Sequence, residues 1–257
     1  MEVHVHGPGP AAPFLRARDL FETEHDLDSP VHVRVRENPD ERTWTAHPGD
    51  EHVLNISRQA ATSAMARELA LHEFAHMARH EQAHPSHTQS TEEVLFLALS
   101  GKSVEQRRVT HCYQIANHMK DIYADDITLQ VGPTHKLVSF LESELAAAVA
   151  DQPTQQGDAP TRRRDGLRLT GTADPEMTAV NAAFALALVE RHDLVDSDHR
   201  LYDLAHAAAK DAPEISLSGF KRRFESLGPE PGESEYRRAL VDATRAYAVG
   251  NEEQAAD

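Results

Sequence analysis

Apolar and polar residues alternate along the first sixty positions of the chain. The stretches Val3–His6 and Val31–Arg36 alternate valine with histidine or arginine, and residues 42–47 and His52–Ser57 also have the composition of β-strands. Every second side chain of a strand points to the same face, so these stretches predict four strands in a small sheet. Residues 14–25, between the first two strands, have a helical pattern.

The apolar period becomes helical after Ser57. One long helix is predicted over residues 57–84, where Pro85 ends it because proline has no backbone N–H and restricts the residue before it. Further amphipathic helices are predicted at residues 91–99, 104–127, 134–150, 175–191, 197–210, 216–227 and 233–249.

A change of composition after residue 150 divides the chain. Residues 151–166 are rich in proline, glutamine, glycine and arginine and predict a linker. We therefore expect a predominantly α-helical α+β fold. Its N-terminal domain, residues 1–150, is β-rich over 1–57 and helical over 58–150, and residues 167–257 form a helical C-terminal region. The arginines at 162–164 are interpreted as a solvated counterweight to the acidic residues, with a docking patch for an acidic partner as the alternative.

The charge balance of the chain is strongly acidic. The formal net charge is −16 at pH 7, and lysine is scarce relative to arginine. Such a surface repels phosphate backbones, which argues against nucleic acid as a partner. An acidic excess also suits very high salt, where screening acts over about 3 Å at 1 M and removes most self-repulsion. These features predict a halophilic, archaeal type of protein.

Cysteine content and apolar run length indicate a cytoplasmic location. Cys112 is the single cysteine, so the chain forms no internal disulfide, and we interpret it as a small core residue and not a nucleophile. The longest apolar run, residues 182–189, is far shorter than a bilayer span, and no signal-peptide pattern opens the chain. We therefore expect no membrane association.

The pattern His-Glu-x-x-His occurs twice within residues 69–87. His72 and His76 frame the first copy, and His80 and His84 frame the second. Two histidines one helical turn apart can bind zinc, and the glutamate beside the first can serve as a base. The chain has 17 histidines, and roughly one in ten random chains of this length and composition would contain such a pattern by chance. Each copy must therefore be judged by its neighbouring residues.

Helical geometry favours the first copy as the metal site. Because each residue of a helix advances about 100°, Ala61, Met65, Leu69, His72 and His76 form one stripe. We expect this stripe to extend an apolar face of the helix into the core. Buried imidazoles need partners, and one metal ion satisfies both rings.

The second copy is rotated away from that stripe. His80 lies about 80° and His84 about 120° from His72 around the helix axis. With Arg79 before this copy and Pro85 after it, we interpret it as a polar helix end near the last carbonyl groups. His87 is interpreted as a loop residue.

A third ligand is predicted on the helix over residues 104–127, which carries an unusual polar stripe. Its members are His111, Gln114, His118, Asp121 and Asp125. The segment Asp121-Ile122-Tyr123-Ala124-Asp125 resembles the Glu-x-x-Ala-Asp segment of one branch of the gluzincins, the prenyl-protease and heat-shock-protease group. In that family the Glu is the third zinc ligand and the Asp supports a ligand histidine.

The resemblance implies a zincin-like domain in which His72, His76 and Asp121 bind zinc, Glu73 acts as the base and Asp125 supports a ligand. It covers residues 69–77 and 120–126. The chain departs from the family by having Asp121 in place of Glu and by lacking transmembrane helices. Taken as a whole, the chain also resembles an uncharacterised haloarchaeal zincin-like family.

Other residues remain alternatives for the third ligand. Glu92 and Glu93 follow at a separation that some gluzincins use, although they also suit the first turn of a helix capped by Ser90 or Thr91. His118 is a further alternative on the polar stripe.

The resemblance implies a zinc metallopeptidase. Zinc lowers the pKa of its water, Glu73 accepts a proton, and an extended peptide adds to a strand such as His52–Ser57. The alternative is a non-catalytic zinc-binding or regulatory protein that retains the zincin-like fold, and a third possibility is an acidic scaffold without metal.

Overall fold

The computed structural model describes residues 1–38, 43–151 and 174–249. The fold is α+β and predominantly α-helical, with one small sheet near the N-terminus, which confirms the predicted fold class. The predicted linker, from residue 152 onward, and the arginines at 162–164 lie outside the described residues.

The sheet has four strands in the order β1-β2-β4-β3. The strands are β1 (Val3–His6), β2 (Val31–Arg36), β3 (Trp44–Ala46) and β4 (His52–Ser57). β1, β2 and β4 are parallel, and β3 pairs antiparallel with β4 at one edge. The valine positions of β2 are buried and its other positions are more exposed, so alternation correctly predicted a strand with one buried face.

The helices follow the predicted order. They are α1 (Ala12–Phe21), α2 (Arg58–Ala61), α3 (Ala66–Glu81), α4 (Pro85–Thr88), α5 (Thr91–Leu99), α6 (Gln106–Val131), α7 (Thr134–Ala150), α8 (Pro175–Arg191), α9 (Arg200–Lys210), α10 (Leu217–Glu225) and α11 (Glu233–Ala248).

The predicted single helix over residues 57–84 is wrong, because the structure divides it into α2 and α3. Ser57 caps α2 by accepting a hydrogen bond from the backbone N–H of Ala60. The hydroxyl groups of Thr62 and Ser63 then donate to backbone carbonyls of the preceding turn, at 3.0 Å to Arg58 and 2.8 Å to Ala60. These bonds compete with helix continuation.

The C-terminal end of α3 also differs from the prediction. The helix ends at Glu81, and Ala83 has a left-handed φ of 50°. Pro85 opens the short helix α4 and does not terminate α3. Proline suits the first turn of a helix because its missing N–H would have no intrahelical partner there.

The chain forms two compact units. The first comprises Met1–Thr88 and Tyr123–Pro133, and the second comprises the described residues of Gln89–Ile122 and Thr134–Asp257. In the first unit, buried residues of the sheet, α1 and α3 form one core that includes Val33, Phe14 and Phe74. In the second unit, α7, α8 and α9 share another core.

Helix α6 is continuous across the boundary between the units, which lies between Ile122 and Tyr123. Its C-terminal turns belong to the first unit, and there Ala124 and Ile127 join the core of the sheet and α3. No described helix is both long enough and apolar enough to cross a membrane.

Candidate metal centre

Helix α3 carries the first His-Glu-x-x-His copy. Its largest buried side chains, Leu71, Phe74 and Met77, pack into the core of the first unit. His72 and His76 are only half-buried. The expectation that these two histidines extend the stripe into the core is therefore wrong, although Ala61 belongs to the core and Leu69 packs against it. The bulky apolar residues that determine the core face of α3 lie about 100° or more round the helix from His72.

His72 is oriented by a carboxylate. Its Nδ1 lies 2.9 Å from Oδ1 of Asp125, which is buried on α6. Because an ionised carboxylate only accepts hydrogen bonds, Nδ1 of His72 is the donor of this pair. Nε2, on the opposite side of the ring, is then the nitrogen that carries the lone pair. This is the contact that the resemblance implied for Asp125.

His76 presents the same nitrogen to His72. The Nε2 atoms of the two rings lie 3.0 Å apart, and the rings are nearly perpendicular at 85°. On the far side of its ring, Nδ1 of His76 lies 2.8 Å from Nε2 of His87. Both rings therefore hold an outer partner through Nδ1 and direct Nε2 toward a common point.

Asp121 lies one turn before Asp125 on the continuous helix α6. Asp121 belongs to the second unit, two residues before the boundary at Tyr123, whereas His72 and His76 belong to the first unit. All three residues are half-buried. The donor set is two imidazoles and one carboxylate, which is the set found in many catalytic zinc sites with a coordination position open to water.

Glu73 directly follows His72 on α3 and is half-buried. Its Cα lies about 100° round the helix axis from that of His72. The side chain is therefore accessible to solvent beside the histidine pair.

The alternative third ligands lie elsewhere. Glu92 and Glu93 are exposed in the first turn of α5, where Ser90 accepts a hydrogen bond from the backbone N–H of Glu93 at 3.3 Å. The interpretation of these glutamates as residues of a capped first turn is confirmed.

His118, the other alternative, is engaged within the second unit. Its Nε2 lies 2.8 Å from Oδ1 of Asn181, and its ring stacks on Phe184. Its Nδ1 lies 3.5 Å from Oδ2 of Asp121. His118 is thus a neighbour of the Asp121 carboxylate on the same helix.

The interpretation of the second His-Glu-x-x-His copy as a polar helix end holds for His80, which lies in the last turn of α3, and is wrong for His84. His84 is buried beyond the end of α3, and its Nδ1 lies 2.7 Å from Oγ of Ser86. His80 stacks on His47 with a centroid distance of 3.8 Å. The left-handed residue Ala83 turns the chain back, so His80 and His84 have different surroundings.

His87 was also wrongly assigned to a loop, because it lies on α4 beside His76. The signal that could have found it is Pro85, which suits the first turn of a helix as well as the end of one.

A second group of possible ligands, His111, Asp174 and Glu176, lies in the second unit. Arg107 forms ion pairs of 2.9 Å with both Asp174 and Glu176. Because the guanidinium neutralises these carboxylates, the ion pairs account for the group without a metal.

Cys112 is a core thiol, as predicted. It is fully buried, and burial raises its pKa to about 12. A thiol that stays protonated at neutral pH is a poor nucleophile.

Comparison with known proteins identifies a family. The model of a family of unknown function, DUF5781, matches residues 1–249. The chain belongs to this family. No curated protein and no solved structure gives a significant match to the chain.

Proposed function

We propose that this protein is a zinc-dependent metallopeptidase whose metal is held by His72, His76 and Asp121. The observation that carries the proposal lies in the first unit: Nε2 of His72 and Nε2 of His76 are 3.0 Å apart, and each ring is engaged through Nδ1 on its other side. Two ligand nitrogens on one tetrahedral zinc, each at about 2.0–2.1 Å, lie about 3.3 Å apart, which is close to this separation.

The tautomer of His76 decides what this pair of rings can bind: with its proton on Nε2 it donates to His72, and with its proton on Nδ1 it can bind a metal through Nε2. His72 donates its Nδ1 proton to Asp125, so a neutral His72 has a lone pair at Nε2. If His76 donates through Nδ1 to His87, its Nε2 is a lone pair as well. In that tautomer the two lone pairs repel each other, whereas a cation between them is stabilised by both.

The donor set fits zinc with one position left for a substrate. When bound, zinc supplies Lewis acidity, which lowers the pKa of a water molecule toward about 7 and stabilises charge on a carbonyl oxygen. Asp125 holds the His72 ring in its tautomer and orientation. Glu73, partly exposed next to His72, takes the proton as water attacks the peptide carbonyl.

The sheet offers an edge for an extended peptide, although not at the strand that the sequence suggested. β4 pairs with β2 on one side and with β3 on the other, so it is not available for strand addition. β1 and β3 are the edge strands of the sheet order, and β3 packs against α3. Backbone groups at a sheet edge can pair with an extended peptide. We infer that the peptide adds to β3.

Metal analysis and peptide hydrolysis test this proposal together. Protein purified in high salt without chelator is expected to contain about one equivalent of zinc and to cleave a mixture of unstructured peptides. Glu73→Gln is the matched control, since it is isosteric and removes the base. Zinc binding with no cleavage by the wild type would favour a non-catalytic zinc protein, and absence of zinc binding would reject the proposal.

A further inference from the structure

Nδ1 of His76 begins a chain of hydrogen bonds that includes two more histidines. Nδ1 of His76 lies 2.8 Å from Nε2 of His87. Nδ1 of His87 lies 2.7 Å from Oγ of Ser86, and the same oxygen lies 2.7 Å from Nδ1 of His84. All four residues belong to the first unit.

The residues around this hydrogen-bond chain fix its geometry. Ser86 is fully buried and His84 nearly so. The backbone N–H of His84 donates to the carbonyl of Arg79 at 3.0 Å, and the N–H of His87 donates to the carbonyl of His84 at 2.9 Å. The ring of His84 also lies 4.5 Å from the ring of Tyr123, centroid to centroid. The turn after α3 is thus tied at its backbone and at its side chains.

A metal at Nε2 of His76 would set the direction of every hydrogen bond in the chain. His76 then carries its proton on Nδ1 and donates it to Nε2 of His87. His87 in turn carries its proton on Nδ1 and donates to Oγ of Ser86. The Ser86 hydroxyl then donates to Nδ1 of His84, so each group has one defined role.

We propose that His87, fixed by Ser86 and His84, is the positioning residue for His76. This inference rests on the proposed zinc site. It also assigns a role to the second His-Glu-x-x-His copy, because its last histidine, His84, forms the buried end of the hydrogen-bond chain. The two ligand histidines thereby have different supports: a buried carboxylate for His72 and an uncharged chain for His76. The uncharged chain orients His76 without adding a second negative charge at its far side.

Substitutions of His87 by two amides test this inference. The side-chain amide of glutamine ends near the position of a histidine Nε2, whereas that of asparagine ends near Nδ1. His87→Gln can therefore still accept the His76 proton, and His87→Asn is too short to do so. Zinc affinity, measured by competition with a chromophoric chelator, is expected to fall about 10–100-fold in His87→Asn and to stay within a few-fold of wild type in His87→Gln.

Two further variants complete the experiment. Ser86→Ala removes the link between His87 and His84, which His87→Gln also lacks, and is expected to weaken zinc binding by a few-fold, less than His87→Asn. His135→Asn, at an exposed histidine of the second unit, is the matched control and should bind zinc like the wild type. Circular dichroism and thermal unfolding of each metal-free variant establish that it is folded.

The tautomers give a readout other than affinity. In the zinc-loaded protein, ¹⁵N spectra of the histidine rings should show a protonated Nδ1 and an unprotonated Nε2 for His87. Equal zinc affinity of His87→Asn, His87→Gln and wild type, or the opposite tautomer of His87, would overturn this inference and leave the zinc site intact. Loss of zinc binding in the wild type itself would instead reject the proposed function.

Discussion

The Nε2 atoms of His72 and His76 lie 3.0 Å apart, although each ring already has a partner at its Nδ1. Histidines one turn apart on a helix do not need to converge in this way, because each ring can rotate about two side-chain bonds. The outer partners, Asp125 and His87, fix that rotation. The convergence is therefore a property of the surroundings as much as of the helical spacing.

Removal of either histidine should remove the metal. We expect His72→Ala and His76→Ala to abolish zinc binding, because each leaves only two protein ligands. His80→Ala is the control, since His80 stacks on His47 and does not belong to the candidate ligand group. Elemental analysis of the purified variants measures the outcome. Equal zinc loss in His80→Ala would mean that the wrong copy of the motif has been assigned.

Glu73 should contribute proton transfer and not a metal bond. Glu73→Gln keeps the size and polarity of the side chain but cannot accept a proton at neutral pH. We expect the variant to retain its zinc and to lose on the order of 10²-fold or more of its peptidase activity. Parallel measurement of zinc content and kcat separates the two effects. Undiminished turnover by this variant would rule out Glu73 as the base.

Substitutions of Asp121 and Asp125 should lower the zinc affinity by different amounts. Asp121→Ala removes a proposed ligand and is expected to cost most of the zinc affinity. Asp125→Ala removes only the acceptor of the His72 proton and should weaken zinc binding by about 10–100-fold. Chelator competition gives both values.

The exposed glutamates supply the control for this comparison. Glu92→Ala and Glu93→Ala change carboxylates in the first turn of α5 and should leave zinc affinity unchanged. An affinity loss in Glu93→Ala larger than that in Asp121→Ala would reject Asp121 as the third ligand.

A glycine that follows β1 should be irreplaceable in the first unit. Gly7 has a φ of 95°, and a Cβ atom there would lie 2.2 Å from the carbonyl oxygen of Val35. We expect Gly7→Ala to lower the free energy of unfolding by more than the about 1–3 kcal/mol of backbone strain alone. Gly49→Ala is the matched control, because Gly49 also has a positive φ but no neighbour within 4 Å. Urea unfolding of both variants should therefore show the larger loss for Gly7→Ala.

Local patterns predicted the sheet better than they predicted the surroundings of the candidate site. The alternation in β2 follows directly from the burial of one strand face, so it is visible in the sequence. The break between α2 and α3 depends on hydroxyl groups of Thr62 and Ser63 that bond to the preceding turn, which periodicity does not register. Serine and threonine also occur inside helices, so their presence alone does not predict a break.

At the candidate site, the sequence could predict the role of Asp125 but not that of His87. Asp125 could be singled out because a family motif contains it, whereas His87 belongs to no motif and follows a proline that was interpreted as a helix stop. Its proximity to His76 depends on the left-handed turn at Ala83, and alanine is an uncommon residue in that conformation. Long-range convergence of this kind requires the three-dimensional structure.

The cluster of His47, His52 and His80 should make the first unit sensitive to acid. Burial lowers the pKa of His47 and, together with repulsion from the neighbouring His80 and His52, brings it to about 4. The pKa of His80 is also lowered, chiefly by burial. An unfolded chain takes up protons at His47 and His80 near their ordinary pKa of about 6.5, whereas the folded state does so only at lower pH.

Stability should therefore be fully present above about pH 6.5 and decrease as the pH falls toward about 4, because the unfolded state then binds more protons. His47→Phe retains a ring next to His80 but cannot titrate, so we expect it to show a smaller decrease of the unfolding free energy over this range. Urea unfolding of chelator-treated protein at constant high salt excludes a contribution from zinc release. The unfolding free energy of His135→Phe, a substitution at an exposed histidine, should decrease with falling pH as steeply as that of the wild type. The same steepness in His47→Phe and wild type would show that His47 is not the group that takes up the proton.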